Sequence, residues 1–278
     1  MDGSIKPSAD QQRALAARYG KAAPAAGPWN AVVETLLQHR SVRGYKPDAL
    51  PAHTLETLIA AASSAATSSN LQTWSVVVVE DKAVRAELAQ IAGNQKHIEQ
   101  CPLFLVWLAD VSRNDRLGEA HGKPLEGLPF LETFLVAAID AALAAQNAVV
   151  AAESLGLATV YIGALRNNVP RVAELLHLPK GVSCVFGLCV GYALPGKEGE
   201  VKPRLPQHVV VHHGTYDHEE EHGHRATYDA EMSDFSARHE MAAATWSERV
   251  IERNGTVPAL RGRDKLAEHL RGLGFPLK

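Results

Sequence analysis

Cysteine is scarce. The chain has three in 278 residues, at 101, 184 and 189, and no C-x-x-C pair. This odd set gives no basis for a disulfide framework and fits a reducing, cytoplasmic setting. "SCVFGLCVG" places Cys184 and Cys189 in an apolar stretch, where small thiols pack as core residues. A strong charge of either sign is also missing: 28 basic residues stand against 31 acidic ones, a formal net charge of −3. That balance argues against general attraction to nucleic acid or an anionic membrane, so any anion must be recognised locally. The N-terminal "MDGSIKPSADQQRALAARYG" lacks the apolar core of a signal peptide. No apolar run is uninterrupted over the ~20 residues of a membrane helix. The longest candidate, "FLVAAIDAALAAQNAVVAAESLG", is broken by Asp140, Gln146, Asn147 and Glu153 and reads as a buried helix of a soluble core.

Several phosphate and nucleophile motifs are absent too. No G-x-G-x-x-G follows a strand and there is no G-x-x-x-x-G-K-[ST], so the usual dinucleotide and triphosphate cradles are not indicated. Without G-x-S-x-G, a hydrolase elbow is unsupported.

The pattern that is present is helix-rich with a few strands. Residues 1–28 form an N-terminal appendage: a short amphipathic helix near 9–19, then the small-residue linker "GKAAPAAGP". The main domain, 29–278, opens with a helix that Asn30 can cap. "TLETLIAAASSAA" sets Leu55, Leu58, Ile59 and Ala62 on one helical stripe. "WSVVVVED" and "LFLVWLAD" read as strands, with Asp81 capping the helix between them. Residues 111–128 read as a long functional loop or insertion. A long helix follows over 130–155, ended by Gly156. "ATVYIG" and "SCVFGLCVGYA" are further strands flanking the helix "VPRVAELLHL", and "HVVVH" at 208–212 is strand-like. About four or five strands among many helices predict an α+β fold, a small central sheet covered on both faces.

Five separated polar clusters could converge on an anionic cofactor, and each has an ordinary structural reading beside it. His39, Arg40, Ser41 and Arg43 supply arginine forks suited to phosphate, or a solvated turn. "TSSNLQ", 67–72, offers hydroxyls to a polyhydroxy ligand, or simply turns the chain. Gln95 in "GNQKHIE" could address a heterocycle edge, or sit in a loop joining helices. In "YIGALRN" Gly163 would admit close approach to the backbone at a strand end, or merely form a turn. Lys202 and Arg204 of "KPRLP" alternate to the same side of an extended segment, as a cation clamp or an exposed loop. Competing with these, six of the thirteen histidines fall within 208–224, where His218 and His222 have the i, i+4 spacing of a helical metal pair. Glu219, Glu220 and Glu221 between them suit a solvated segment, and no metal is assigned.

The order of "HRSVR", "GNQKH", "AQNAVVAAESLGLATVYIGALRNN", "FGLCVGY" and "KPRLP" over about residues 29–255 resembles the nitroreductase superfamily, in particular the bacterial oxygen-insensitive NADPH nitroreductase and flavin reductase group. The resemblance implies a mostly antiparallel sheet within an intertwined homodimer, with helix 130–155 at the dimer core and FMN at the interface. It implies that His39, Arg40, Ser41 and Val42 hold the phosphate and ribityl chain and that Arg43 tunes the reduced flavin. Thr67, Ser68 and Ser69 would meet the ribityl chain and ring, and Gln95 the ring edge. Tyr161, Ile162, Gly163 and Ala164 would lie along the flavin, with Lys202 and Arg204 as a second phosphate arm. The implied activity is ping-pong, two-electron reduction of nitroaromatics, quinones or flavins by NADPH or NADH. A flavin reductase supplying reduced FMN to a partner enzyme, or a flavin-binding sensor or carrier, are the alternatives. The chain departs from the pattern at Thr67 (serine in the family), at Ala164 (glycine) and in the basic loop before Trp246. There Arg238 is the one candidate for an NADPH phosphate, with Ala242 and Ala243 at other basic positions.

Overall fold

The computed structural model describes residues 8–239, 241 and 245–278; Ala242 and Ala243 lie outside the described residues. Four strands are present among the described residues, β1 (Trp74–Val78), β2 (Leu103–Asp110), β3 (Ala158–Ile162) and β4 (Val182–Gly191). The helices in chain order are α1 (Ala9–Tyr19), α2 (Ala31–Gln38), α3 (Thr54–Ser63), α4 (Lys82–Ile91), α5 (His97–Gln100) and α6 (Ser112–Ala120). They continue with α7 (Leu131–Ser154), α8 (Val169–Leu175), α9 (Gln207–Val210), α10 (Glu221–Arg238), α11 (Trp246–Asn254) and α12 (Leu266–Gly272). These elements form two compact units: the chain up to Arg40 with Glu200–Leu260, and Ser41–Gly199 with Arg261–Lys278.

The second unit carries the sheet, in the order β1-β2-β4-β3 with every pairing antiparallel. All eight residues of β2 are buried, the mark of a strand covered on both faces. One face packs under Leu88, Ile98, Leu165 and Val172, the other under Leu58 and the alanines of α7. Ala144, Ala145, Ala148 and Ala152 are fully buried, so α7 meets the sheet through small side chains. Gly187 of β4 lies flat on Phe104: a Cβ there would stand 2.7 Å from the ring. Gly156 ends α7 at φ 77°, a conformation that favours glycine. The α+β layer read from the sequence is therefore present, with four strands.

Two elements differ from expectation. Residues 111–128 are not one long loop, because α6 occupies Ser112–Ala120. Its surface is mostly polar, so it lacks the apolar stripe that announces a helix. "HVVVH" is not a strand; α9 takes Gln207–Val210, entered from Pro206 in an extended conformation. Val210 and Val211 are exposed there, and no strand among the described residues pairs with them.

The first unit is helical. Ser8 and Gln11 form a reciprocal capping box on α1. Asn30 caps α2 by accepting from Val33 N–H at 3.0 Å. Tyr228, Met232 and Phe235 on α10 make a small core with Leu205, Met241 and Trp246. From α1, Leu15 and Arg18 are buried.

Candidate cofactor site

In the first unit α2 ends at Gln38, and the chain leaves it extended through His39. His39 is half-buried and Arg40 exposed, with an Arg40 guanidinium nitrogen 3.3 Å from the Gln38 carbonyl. Farther along, Pro203 and Pro206 are buried, Lys202 is half-buried and Arg204 exposed. Tyr228 donates to the Pro203 carbonyl at 3.0 Å, fixing "KPRLP" on α10. The Lys202 ammonium lies 5.6 Å from the centre of the Phe235 ring. The Arg204 guanidinium turns back onto the Lys202 and Pro203 carbonyls.

Arg18 joins these two segments. Its side chain donates to the carbonyls of Leu37 at 2.7 Å, His39 at 2.8 Å and Lys202 at 2.9 Å. Its own carbonyl accepts from Arg204 N–H at 2.8 Å.

In the second unit, Ser41 bridges Thr159 of β3 and Val42 N–H donates to the Thr159 carbonyl at 3.0 Å. Val42 is buried, and its carbonyl accepts from the Tyr45 hydroxyl at 2.9 Å. Its side chain is thus a core anchor and not a ligand surface. Alternation along this segment leaves Ser41 and Arg43 exposed. Burial pushes the Tyr45 phenol up, keeping it a neutral donor. Burial first, and then the Arg43 cation, pull the His97 imidazole below its usual range. His97 Nε2 is buried without a hydrogen-bond partner among the described residues.

Residues 67–73 form a tight excursion in which Ser69, Asn70 and Gln72 have φ of 48°, 56° and 51°. Left-handed conformations cost non-glycine residues on the order of 1 kcal/mol or more each, so the surroundings must impose them. Asp140, on α7 and 2% exposed, does so. One carboxylate oxygen accepts from Thr67 Oγ1 at 2.6 Å, Thr73 Oγ1 at 3.0 Å and Thr73 N–H at 3.1 Å; the other accepts from Ser68 N–H at 3.2 Å. Thr67 Oγ1 also accepts from Gln72 N–H at 3.0 Å. With its only proton given to Asp140, the Thr67 hydroxyl holds the loop and has none left for a ligand. Ser68 and Ser69 remain exposed.

Gln95 donates through its side-chain amide to the Ala92 carbonyl at 2.8 Å, closing the end of α4, so part of its donor capacity is committed. At the end of β3, Ile162 is buried and the Tyr161 hydroxyl donates to Gln146 at 3.3 Å. Gly163 begins a short 3-10 turn that includes Ala164 and Arg166. Ala164 does not adopt a left-handed conformation, so a methyl group is accommodated where the family pattern has glycine. Arg166, anchored to the Val185 carbonyl, brings its guanidinium within 3.3 Å of where a Gly163 Cβ would lie.

Arg238, the candidate for an NADPH phosphate, is paired with Glu200 at 3.4 Å, and the same carboxylate oxygen lies 3.4 Å from His239 Nε2. His218 precedes α10 while His222 lies in its first turn, so the two do not share a helical face. His208 and His224 stack at 5.2 Å, and among the described residues no three metal-ligating side chains converge. All three cysteines are buried and free, and burial pushes the Cys184 thiol up to about 12.

Models of the nitroreductase family match residues 36–192 and, for the family's C-terminal domain, residues 202–278. The chain belongs to the nitroreductase family. Among nitroreductase-family relatives, the FMN reductase (NADPH) of Bacillus subtilis is 38% identical over 251 residues, 88% of this chain and 98% of that protein. The oxygen-insensitive NADPH nitroreductase of Salmonella typhimurium is 38% identical over 220 residues, 78% of this chain and 88% of that protein. The structure of the NADPH:FMN oxidoreductase of Vibrio harveyi, complexed with NAD+, superposes with a TM-score of 0.79 at 36% identity. It covers 90% of this chain and 100% of the other.

Three residues that organise these segments escaped the sequence reading. Arg166 lies within "YIGALRN" and could have been picked as a cation at a strand end. Asp140 appeared only as a polar break in an apolar helix. Arg18 belongs to the N-terminal helix and lies outside both matched segments; no motif marked it.

Proposed function

We propose that this nitroreductase is an FMN-dependent NAD(P)H oxidoreductase that reduces nitroaromatics, quinones or free flavins by two electrons. The observation that carries the reading is its near end-to-end likeness to an FMN reductase (NADPH), 98% of which it covers. The donor set suits FMN. The carbonyls of His39 and Lys202 are tied to the buried Arg18 guanidinium, and Arg204 N–H to the Arg18 carbonyl. Lys202 and Arg204, with Arg40 beside His39, thereby offer positive charge to a phosphate dianion. The exposed hydroxyls of Ser41, Ser68 and Ser69 suit a ribityl chain.

Bound FMN would supply the redox chemistry, two-electron transfer from NAD(P)H to the acceptor. The chain binds and tunes it. Arg43, on a backbone pinned to β3, offers a fixed positive charge to the part of the cofactor that becomes anionic on reduction. Gln95 and the Tyr161–Ala164 segment serve its ring, with the Arg166 guanidinium beside Gly163. Thr67 and Val42 contribute by holding their segments in place. Arg238 is paired with Glu200, a carboxylate that a coenzyme phosphate would have to displace there, and NADPH or NADH is the reductant in this reading.

The FMN-binding domain in this reading is 29–278, acting as a cytoplasmic homodimer with α7 at the dimer core. Leu131, Leu135, Ile139 and Leu143 recur every four residues on α7 and are 54%, 50%, 48% and 42% exposed. An apolar stripe of that length calls for a partner. The helix is long and apolar enough to cross a membrane by length and composition, but its alanine face packs on the sheet.

The test is steady-state oxidation of NADPH and NADH by the FMN-loaded protein with a nitroaromatic, a quinone or free FMN as acceptor. Turnover with parallel initial-rate lines is expected, since reductant and acceptor use one face in turn. No acceptor-dependent oxidation of either nucleotide would contradict the reading.

A further inference from the structure

Arg18 occupies an unusual position for a residue on an N-terminal helix. It is 5% exposed. Its guanidinium meets two carbonyls at the end of α2, Leu37 and His39, and the carbonyl of Lys202, which is far away in sequence. The last carbonyls of a helix have no partner within it and carry the negative end of its dipole. A guanidinium satisfies several at once because it is planar, permanently charged and carries five donors in a fixed fork. An ammonium is a point charge and cannot match that fork. The backbone of the same residue receives Arg204 N–H. One residue therefore fixes the main chain at 37, 39, 202 and 204, from which the side chains of His39, Lys202 and Arg204 project.

We infer that Arg18 is a positioning residue for FMN phosphate recognition, and that the N-terminal helix is a working part of the cofactor site. The inference rests on the FMN reading of the preceding section. Arg18 sets the spacing of the two segments through their carbonyls. Since the helix lies outside both matched family segments, this chain reaches the arrangement with residues that the family pattern does not specify. The effect should be greatest at the phosphate end of the ligand, because the Arg18 guanidinium holds the carbonyls of His39 and Lys202, whose side chains are phosphate-binding candidates.

The experiment compares FMN with riboflavin, which has the same ring and ribityl chain and no phosphate. Dissociation constants of both are measured by fluorescence titration for the full-length wild type, Arg18→Met and Arg18→Lys. Loss of the fork is expected to weaken FMN about tenfold or more in both variants, the scale of losing hydrogen bonds to a charged donor. Riboflavin affinity should stay within about twofold, on a scale where twofold is under half a kcal/mol. Unchanged FMN affinity, or equal weakening of FMN and riboflavin, would overturn the inference. Riboflavin binding also reports that the site is folded. Should Arg18→Met fail to fold, Arg18→Lys carries the same comparison. A wild type that binds neither flavin would overturn the FMN reading itself, an outcome distinct from a failed Arg18 effect.

Discussion

Asp140 shows how much one carboxylate can organise. Backbone N–H groups can only donate, and Ser68 and Thr73 both donate to it, as do two hydroxyls. A carboxyl group, with acceptor lone pairs on both oxygens, suits that arrangement. Asp140→Ala would leave those donors facing an empty space and release the strain at Ser69, Asn70 and Gln72. We expect a stability loss of about 2–4 kcal/mol by urea denaturation, with weaker FMN binding. Asp140→Asn keeps the shape and should lose roughly half as much, because only the Ser68 contact then meets a donor. Stability and FMN affinity both unchanged in Asp140→Ala would contradict this role. The other polar interruptions of α7 are also cross-links. Gln146 accepts from Tyr161, Asn147 donates to the Ala61 carbonyl, and Glu153 accepts from Thr159 Oγ1. In the sequence these residues argued only against a membrane span. Their partners are distant in the chain, so their purpose could not be read from local pattern.

At the scale of elements, legibility followed amphipathicity. Helices α3 and α4 and strands β1 to β4 were readable because burial on a defined face imposes a period and caps mark the ends. Helix α6 was hidden because its surface is polar, and α9 because a β-branched run imitates a strand. Helix α7 was readable as a helix, while its two apolar faces were not separable by composition. The alanine face is covered by the sheet and the leucine face is exposed. On the proposed homodimer, a charge placed in the exposed stripe, as in Leu135→Glu with Ile139→Glu, is expected to turn a wild type that sediments as a dimer into a monomer in sedimentation velocity. The double variant should keep its helical circular dichroism, since neither residue is buried in the subunit. A variant that sediments as the wild-type dimer would remove α7 from the interface.

For the whole molecule, the family was legible because several weak motifs occur in a fixed order. Their chemistry was legible less evenly. Ser41, Arg43, Ser68 and Ser69 are exposed as a ligand set requires, whereas Val42 is core, Thr67 serves Asp140, and Arg238 is engaged by Glu200. A motif identifies which residues recur, and the hydrogen bonds decide which of them face outward. The cations at 39–40 and 202–204 are 160 or more residues apart in sequence, yet Arg18 ties both segments within one unit. The central claim, that the chain holds FMN for reduction by a nicotinamide nucleotide, is tested most directly by anaerobic titration. The purified protein is loaded with FMN, freed of excess, and its visible absorbance followed as NADPH or NADH is added. The account predicts a yellow protein that bleaches with one equivalent of reductant per bound flavin and recovers its colour when an acceptor is admitted. A protein that retains no FMN, or whose bound flavin stays oxidised with both nucleotides, would contradict it.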